Sequence, residues 1–443
     1  MRRHDDTPAR FSGEYFTGEY LTGEYLTGEY FTGQYATTTR AARSVPSVTA
    51  PRTSAAGTAW PLLLVATLDT AGLMVAVLRI PPIVRATGGG AVAVGALTAA
   101  FALAQMAGAI GWGRLSDRVG RRAALVAGLG FSAAGWLSLL WAHAMTVLVV
   151  PTLAVARVLM GIGSGTAGVV VAAILDGAPP SSRAALLGRL SAATSFGAVV
   201  GPAVALALAE CAMTPEHAMT VLTALALVVA WRTLPRGARV VARGRADARA
   251  VPRWGRSLLP VLIAVYALAV GAASGVATML PAIFDAPRAA WAVMALGATG
   301  VLVRAALVGP VAARLGEPRM LGAGLTSIAA ALLLLCRPSG AALPVVVAAL
   351  ALGTALAFPA LGALVARATP PSRLGAVMGA QQAAGGAARA AFPLALGVAL
   401  DAGRPSGLLT VCAAVLAVAA AGAFAGRSYV ARPAQRRPDA KAA

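Results

Sequence analysis

Apolar stretches of about 20 residues recur along this chain from Ala59 onward, separated by short segments that hold most of its arginines. Twelve are counted, at roughly 59–81, 91–112, 123–143, 146–174, 184–208, 217–231, 257–283, 290–312, 320–336, 342–366, 374–400 and 406–425, the sixth short with soft ends. Runs of this length reach across the hydrocarbon core of a bilayer. Only a helix satisfies its backbone within one segment in lipid. The pattern predicts an all-α membrane protein with twelve transmembrane helices.

The first 57 residues differ: they are polar, and residues 13–35 repeat a Gly-Glu-Tyr unit every five positions. Period five fits neither helix nor strand, and the recurring glycine disfavours both. A disordered tail is expected, with a partner-binding or regulatory tail as the alternative. No short apolar stretch follows the first arginines, so no signal peptide is expected.

The connecting charges alternate. With the N-terminus inside, the inner segments and both tails collect 29 of the 37 basic residues, including eight arginines between Arg232 and Arg256. The outer connections hold five: Arg79, Arg85, Arg288, Arg337 and Arg404. The asymmetry follows the positive-inside rule and places both termini in the cytoplasm. It also accounts for the net charge of +21 without a nucleic-acid partner.

A repeat is built into the span pattern. Pro179-Pro180-Ser181, Gly188 and Pro202 recur 191 residues later as Pro370-Pro371-Ser372, Gly379 and Pro393, and the same offset carries Glu210 onto Asp401. The expected organisation is a tail (1–57), a six-helix half (58–231), a basic linker (232–256), a second pseudo-symmetric six-helix half (257–425) and a C-terminal tail (426–443). A duplicated membrane fold with a site at the repeat interface is the architecture of secondary transporters.

Composition narrows the chemistry. Charged residues make up 12% of the chain, against about 25% in soluble proteins; a soluble enzyme, a disordered chain and a fibrous repeat are excluded. The single lysine, Lys441, leaves no P-loop. Three cysteines and three histidines lie far apart, so no metal site, cofactor or disulfide framework is expected. Gly163-Ser164-Gly165-Thr166-Ala167-Gly168 matches a dinucleotide pattern, but no strand precedes it; its glycines are read as helix contacts.

Between the second and third spans stands Gly113-Arg-Leu-Ser-Asp117-Arg118-Val-Gly120-Arg121-Arg122. This resembles the signature inner loop of the major facilitator superfamily, with Ser116 a mild departure. Physically, glycines allow a tight turn, and Asp117 can accept from arginines or a facing helix N-terminus in one conformation and lose that contact in another. A degenerate copy, Gly309, Arg314, Leu315, Gly316 and Arg319, has Ala313 at the aspartate position, so an asymmetric latch is expected.

The fourth span carries Leu153, Arg157, Met160, Gly161 and Gly163. It is similar to a second pattern of the superfamily's drug–proton antiporters, with Met160 where glutamine is usual. A buried arginine keeps its charge and costs about 2.5–3.5 kcal/mol on insertion scales. A proton-relay or substrate role and a structural bond to backbone both remain open. The fifth span reads Gly188, Gly197, Gly201-Pro202, which resembles the antiporter motif of export members; Ala205 and Leu206 stand where the pattern closes with glycines. Helix packing and a coupling role are both consistent with it.

Asp69 in the first span is the acidic residue deepest in the first half's apolar stretches, followed by adjacent Pro81-Pro82 rather than the family's spaced prolines. Twelve-span drug antiporters often carry an acid here. The resemblance implies a proton or cation role, beside a structural hydrogen bond. In the second half Arg304, Gln381, Gln382 and Arg389 are candidates for lining or bracing a cavity. The resemblance as a whole implies a non-enzymatic, monomeric exporter of small, largely apolar compounds in exchange for protons, in the plasma membrane among lipid. Proton-symport uptake of a metabolite is the alternative within transport, and a non-transporting receptor or scaffold the alternative outside it.

Overall fold

In a computed structural model the described residues are 59–144, 147–176, 178, 180–208, 214–235, 258–369 and 374–425. The Gly-Glu-Tyr repeats, most of the basic linker, Glu210 and the C-terminal tail lie outside them. The described residues form thirteen helices and no strand: α1 (Ala59–Ala86), α2 (Ala91–Val119), α3 (Arg121–Ala144), α4 (Val149–Ser164), α5 (Ala167–Leu175), α6 (Pro180–Ala207), α7 (Pro215–Thr233), α8 (Leu259–Ile283), α9 (Ala286–Ala306), α10 (Val308–Leu335), α11 (Leu343–Arg367), α12 (Leu374–Asp401) and α13 (Pro405–Ala425).

Among the described residues eleven helical segments are long and apolar enough to cross a membrane, with α4 and α5 counted as one. The sixth expected span, α7, is not among them. Glu216 in its first turn and Arg232 in its last leave a short apolar run within 19 residues. The fourth stretch is broken between Ser164 and Ala167, where the chain turns through Gly165 and Thr166. Proline does not end α1: Pro81 and Pro82 lie inside it.

The expected inner loop after the second span is nearly absent. Gly113 to Val119 complete the last turns of α2, and Gly120 alone turns the chain, at φ 95°. A side chain is strained in that left-handed region, which explains glycine there. Gly113 makes no turn, contrary to the expectation. The second copy behaves alike: Gly316, at φ 74°, kinks α10.

Helices α1–α7 pack mainly on one another, as do α8–α13. The two groups meet along α2 against α12 and α6 against α9. Lipid is as apolar as a leucine side chain, so close backbone approach at small residues holds such contacts. At Gly95 of α2 an added Cβ would sit 2.5 Å from the Pro393 carbonyl of α12. At Gly297 of α9 it would sit 3.1 Å from the Ala198 carbonyl of α6.

Candidate functional site

Asp69 projects from α1 into a cavity of about 40 Å³ enclosed by α1, α2, α3, α4, the α4–α5 break and α7. Leu73, Phe101, Ser132, Trp136, Arg157 and Thr223 are among its walls. That volume admits a few waters. The Ser164 hydroxyl donates to Oδ1 of Asp69. Ser164 is the last residue of α4, where neighbouring backbones approach closely. An added Cβ on Gly163 would be 2.8 Å from the Gly128 carbonyl of α3, and one on Gly165 would be 2.6 Å from the Ala109 nitrogen of α2. Two glycines of the dinucleotide-like pattern thus serve helix contact; Gly168 meets nothing within 4 Å.

Arg157 shares the cavity and is 2% exposed. Its Nε donates to the Leu97 carbonyl at 3.4 Å, and its guanidinium lies 4.3 Å from the Phe101 ring centroid. Nη1 has no hydrogen-bond partner among the described residues. No ion pair joins Arg157 to Asp69 among those residues. A carbonyl and an aromatic face therefore hold the cation on one side, and the cavity is left for the other.

The antiporter-like residues of α6 bear on the same stretch of α1. An added Cβ on Gly197 would collide with the Thr67 carbonyl, and one on Gly201 with the Ala71 carbonyl, residues flanking Asp69. The Thr67 hydroxyl donates to the Ala193 carbonyl of α6 at 3.1 Å. Pro202 follows, buried inside α6, and Gly188 lies half-buried near its start. The fold thus brings Asp69, Arg157, Gly197 and Gly201 together, although 132 positions separate the first from the last.

The basic loop is a separate centre at one end of the bundle. Arg121, 16% exposed, donates to Ser116 Oγ at 2.5 Å, Asp117 Oδ1 at 3.1 Å and Asp176 Oδ2 at 3.0 Å. Asp117, in the last turns of α2, is 64% exposed and pairs with Arg121 across the Gly120 turn. Arg118 is exposed. Arg122 donates to the Trp231 carbonyl and stacks 4.5 Å from the Trp231 ring, tying α3 to the end of α7.

Ser164 and Asp176 were missed by sequence reasoning. Asp176 had a signal: the 191-residue offset carries it onto Arg367. In the second copy Arg367 pairs with Glu317 at 2.9 Å, the residue after the turning glycine. Both copies therefore join the turn to the end of a later helix by one ion pair, with the charges exchanged.

The second-half candidates lie outside the lining of the Asp69 cavity. Arg304 is in the last turn of α9 rather than mid-helix. Arg389 is half-buried near the middle of α12. Gln382 accepts from the Tyr266 hydroxyl of α8 at 3.4 Å. Gln381 is 2% exposed, and its Oε1 has no donor among the described residues. No group of three metal-ligating side chains occurs among the described residues.

The sequence profile described as Major Facilitator Superfamily matches residues 60–305 and again 284–443. The chain belongs to the Major Facilitator Superfamily. Its similarity extends to a tetracycline resistance protein, class G, of Vibrio anguillarum, 27% identical over 299 residues that cover 64% of this chain and 75% of the relative. A class D tetracycline resistance protein of Salmonella ordonez is 33% identical over 110 residues, 25% of this chain and 27% of that one. The structure resembles the human organic anion transporter MFSD10 (TETRAN), with TM-score 0.58 and 20% identity, covering 83% of this chain and 99% of the other. It also resembles the nucleoside transporter NupG, with TM-score 0.66, 12% identity and the same coverages. At such identities the structural likeness concerns the fold alone. This superfamily member is a multi-pass membrane protein, all-helical across its described residues.

Proposed function

We propose that this superfamily member is a proton-coupled exporter of small, largely apolar compounds, working by alternating access between two six-helix halves. In this reading α7 completes twelve spans, and both termini and the 232–256 linker face the cytoplasm of a plasma-membrane protein. One observation carries the proposal: a carboxylate midway along α1 is enclosed with a hydroxyl donor and an arginine, on a helix clamped by the antiporter-like glycines of α6.

Chemistry divides the roles. Arginine cannot release its proton at ordinary pH, so Asp69 is the exchanging group and Arg157 a fixed charge beside it. Ionised Asp69 accepts from Ser164; protonated, it becomes a donor. Drug-sized ligands need cavities of roughly 300–1,000 Å³, and the Asp69 cavity is about 40 Å³. In this state the cavity is too small for such a compound, and in this reading the compound binds between the halves, with α1 as the link to Asp69. The similarity to tetracycline resistance proteins makes tetracycline the first compound to test.

The experiment is tetracycline transport in proteoliposomes under an imposed pH gradient. Asp69→Asn keeps the volume and removes the titration. It is expected to abolish gradient-driven accumulation while binding survives. Undiminished gradient-driven transport by Asp69→Asn would remove Asp69 from the mechanism.

A further inference from the structure

Asp401 ends α12, and among the described residues its carboxylate forms no ion pair with an arginine. It accepts from the backbone N–H of Ala91 at 2.7 Å and of Val92 at 2.9 Å, the first two residues of α2. The free N–H groups of a helix start attract a carboxylate through hydrogen bonding and the helix dipole. The acceptor here comes from the other helix group, across the junction of α1–α7 with α8–α13.

Three features surround this contact. Gly90, the residue before α2, has no room for a side chain: an added Cβ would lie 2.7 Å from Asp401 Cγ. At Gly397, one turn below Asp401, an added Cβ would strike the Ala91 carbonyl. At the same end Arg85 of α1 donates to the Ala282 carbonyl of α8 at 3.4 Å, a second bond between the groups. Toward the other ends of α2 and α12 such close glycine contacts do not recur: an added Cβ on Gly113 or on Gly379 meets nothing within 4 Å. The hydrogen bonds and the closest backbone approaches between the two helices thus lie toward the Asp401 end.

We infer that Asp401 is a positioning residue of the transport cycle: as the N-terminal cap of α2 supplied from α12, it latches the bundle shut at the end opposite the basic loops. In the proposed topology that end faces outside, so opening to the exterior requires the Asp401 bonds to break. The inference rests on the alternating-access reading but not on the identity of the compound or on the role of Asp69.

The test measures distances between spin labels on the full chain in nanodiscs, with Cys211, Cys336 and Cys412 replaced. One label pair, at Ala86 and Ala341, reports the Asp401 end; the other, at Leu115 and Ala376, reports the basic-loop end. Loss of a helix cap costs about 1 kcal/mol, so Asp401→Ala is expected to raise the population open at the Asp401 end about fivefold. The long-distance fraction of the first pair and the short-distance fraction of the second should rise together. Gly90→Ala should produce the same shift alone and add little in the Asp401→Ala background. Unchanged distributions in Asp401→Ala would overturn the latch. So would lengthening of the first pair alone, which marks local fraying. Because no transport is measured, failure here leaves the export reading standing, and failure of tetracycline transport leaves the latch standing.

Discussion

Exchanging the charges of Arg121 and Asp176 tests whether the loop acts through this ion pair. At 3.0 Å, two unit charges attract by about 5–6 kcal/mol at an effective dielectric of 20. Asp176 is 43% exposed, so solvent and lost side-chain freedom bring the net down to about 1 kcal/mol. Arg121→Glu removes that attraction, replaces it with repulsion of similar size and loses the bond to Ser116. The first two amount to about 2 kcal/mol, or roughly a thirtyfold shift, and the lost Ser116 bond adds to it. Asp176→Arg alone should do nearly as much. The double variant recreates the arrangement that Glu317 and Arg367 already hold, and should recover about tenfold over the worse single variant. Recovery stays incomplete because Glu at 121 faces Asp117 across the Gly120 turn, a like-charge pair where Arg121 now sits 3.1 Å from Asp117. Asp117→Asn, altering an exposed partner, should change little. The assay is the initial rate of gradient-driven tetracycline transport, normalised to monodisperse reconstituted protein. A double variant no faster than the worse single one refutes the reasoning.

Gly201→Val should destabilise the fold by about 1–3 kcal/mol, since its side chain would enter the Ala71 carbonyl and Met74; a detergent melt that is not lowered contradicts the α1–α6 contact. Ser164→Ala removes a donor to a charged group, an interaction of about 1.5–3 kcal/mol, and should slow gradient-driven transport about tenfold with expression unchanged; parental rates would remove Ser164 from the site. The topology requires a cysteine at Gly244 to resist impermeant reagents applied to intact cells, and labelling from outside would invert it.

Much of this protein is legible along the chain because the membrane imposes a one-dimensional rule. Backbone groups in lipid must bond within their own segment, so hydropathy alone marks helices such as α8, α11 and α13. Arg114 to Arg122 mark a membrane boundary because charge cannot remain in lipid, although they lie in the helix ends and Gly120 alone makes the turn. The same rule fails where an element's role depends on its neighbours. Gly163 and Gly165 lie against α3 and α2, and Ser164 between them meets Asp69, a pairing that depends on how the helices pack. Asp117 was the conspicuous acid of the loop, yet Arg121 reaches across to Asp176, 55 residues on, because α5 ends beside it. Asp401 was legible as a boundary acid, but the start of α2 as its partner was not: 309 and 310 positions separate them, and no local pattern encodes that meeting. Segment identity follows from transfer between water and lipid, which each residue undergoes largely independently. Pairings of buried polar groups follow from the packing of helices, which only the folded bundle decides.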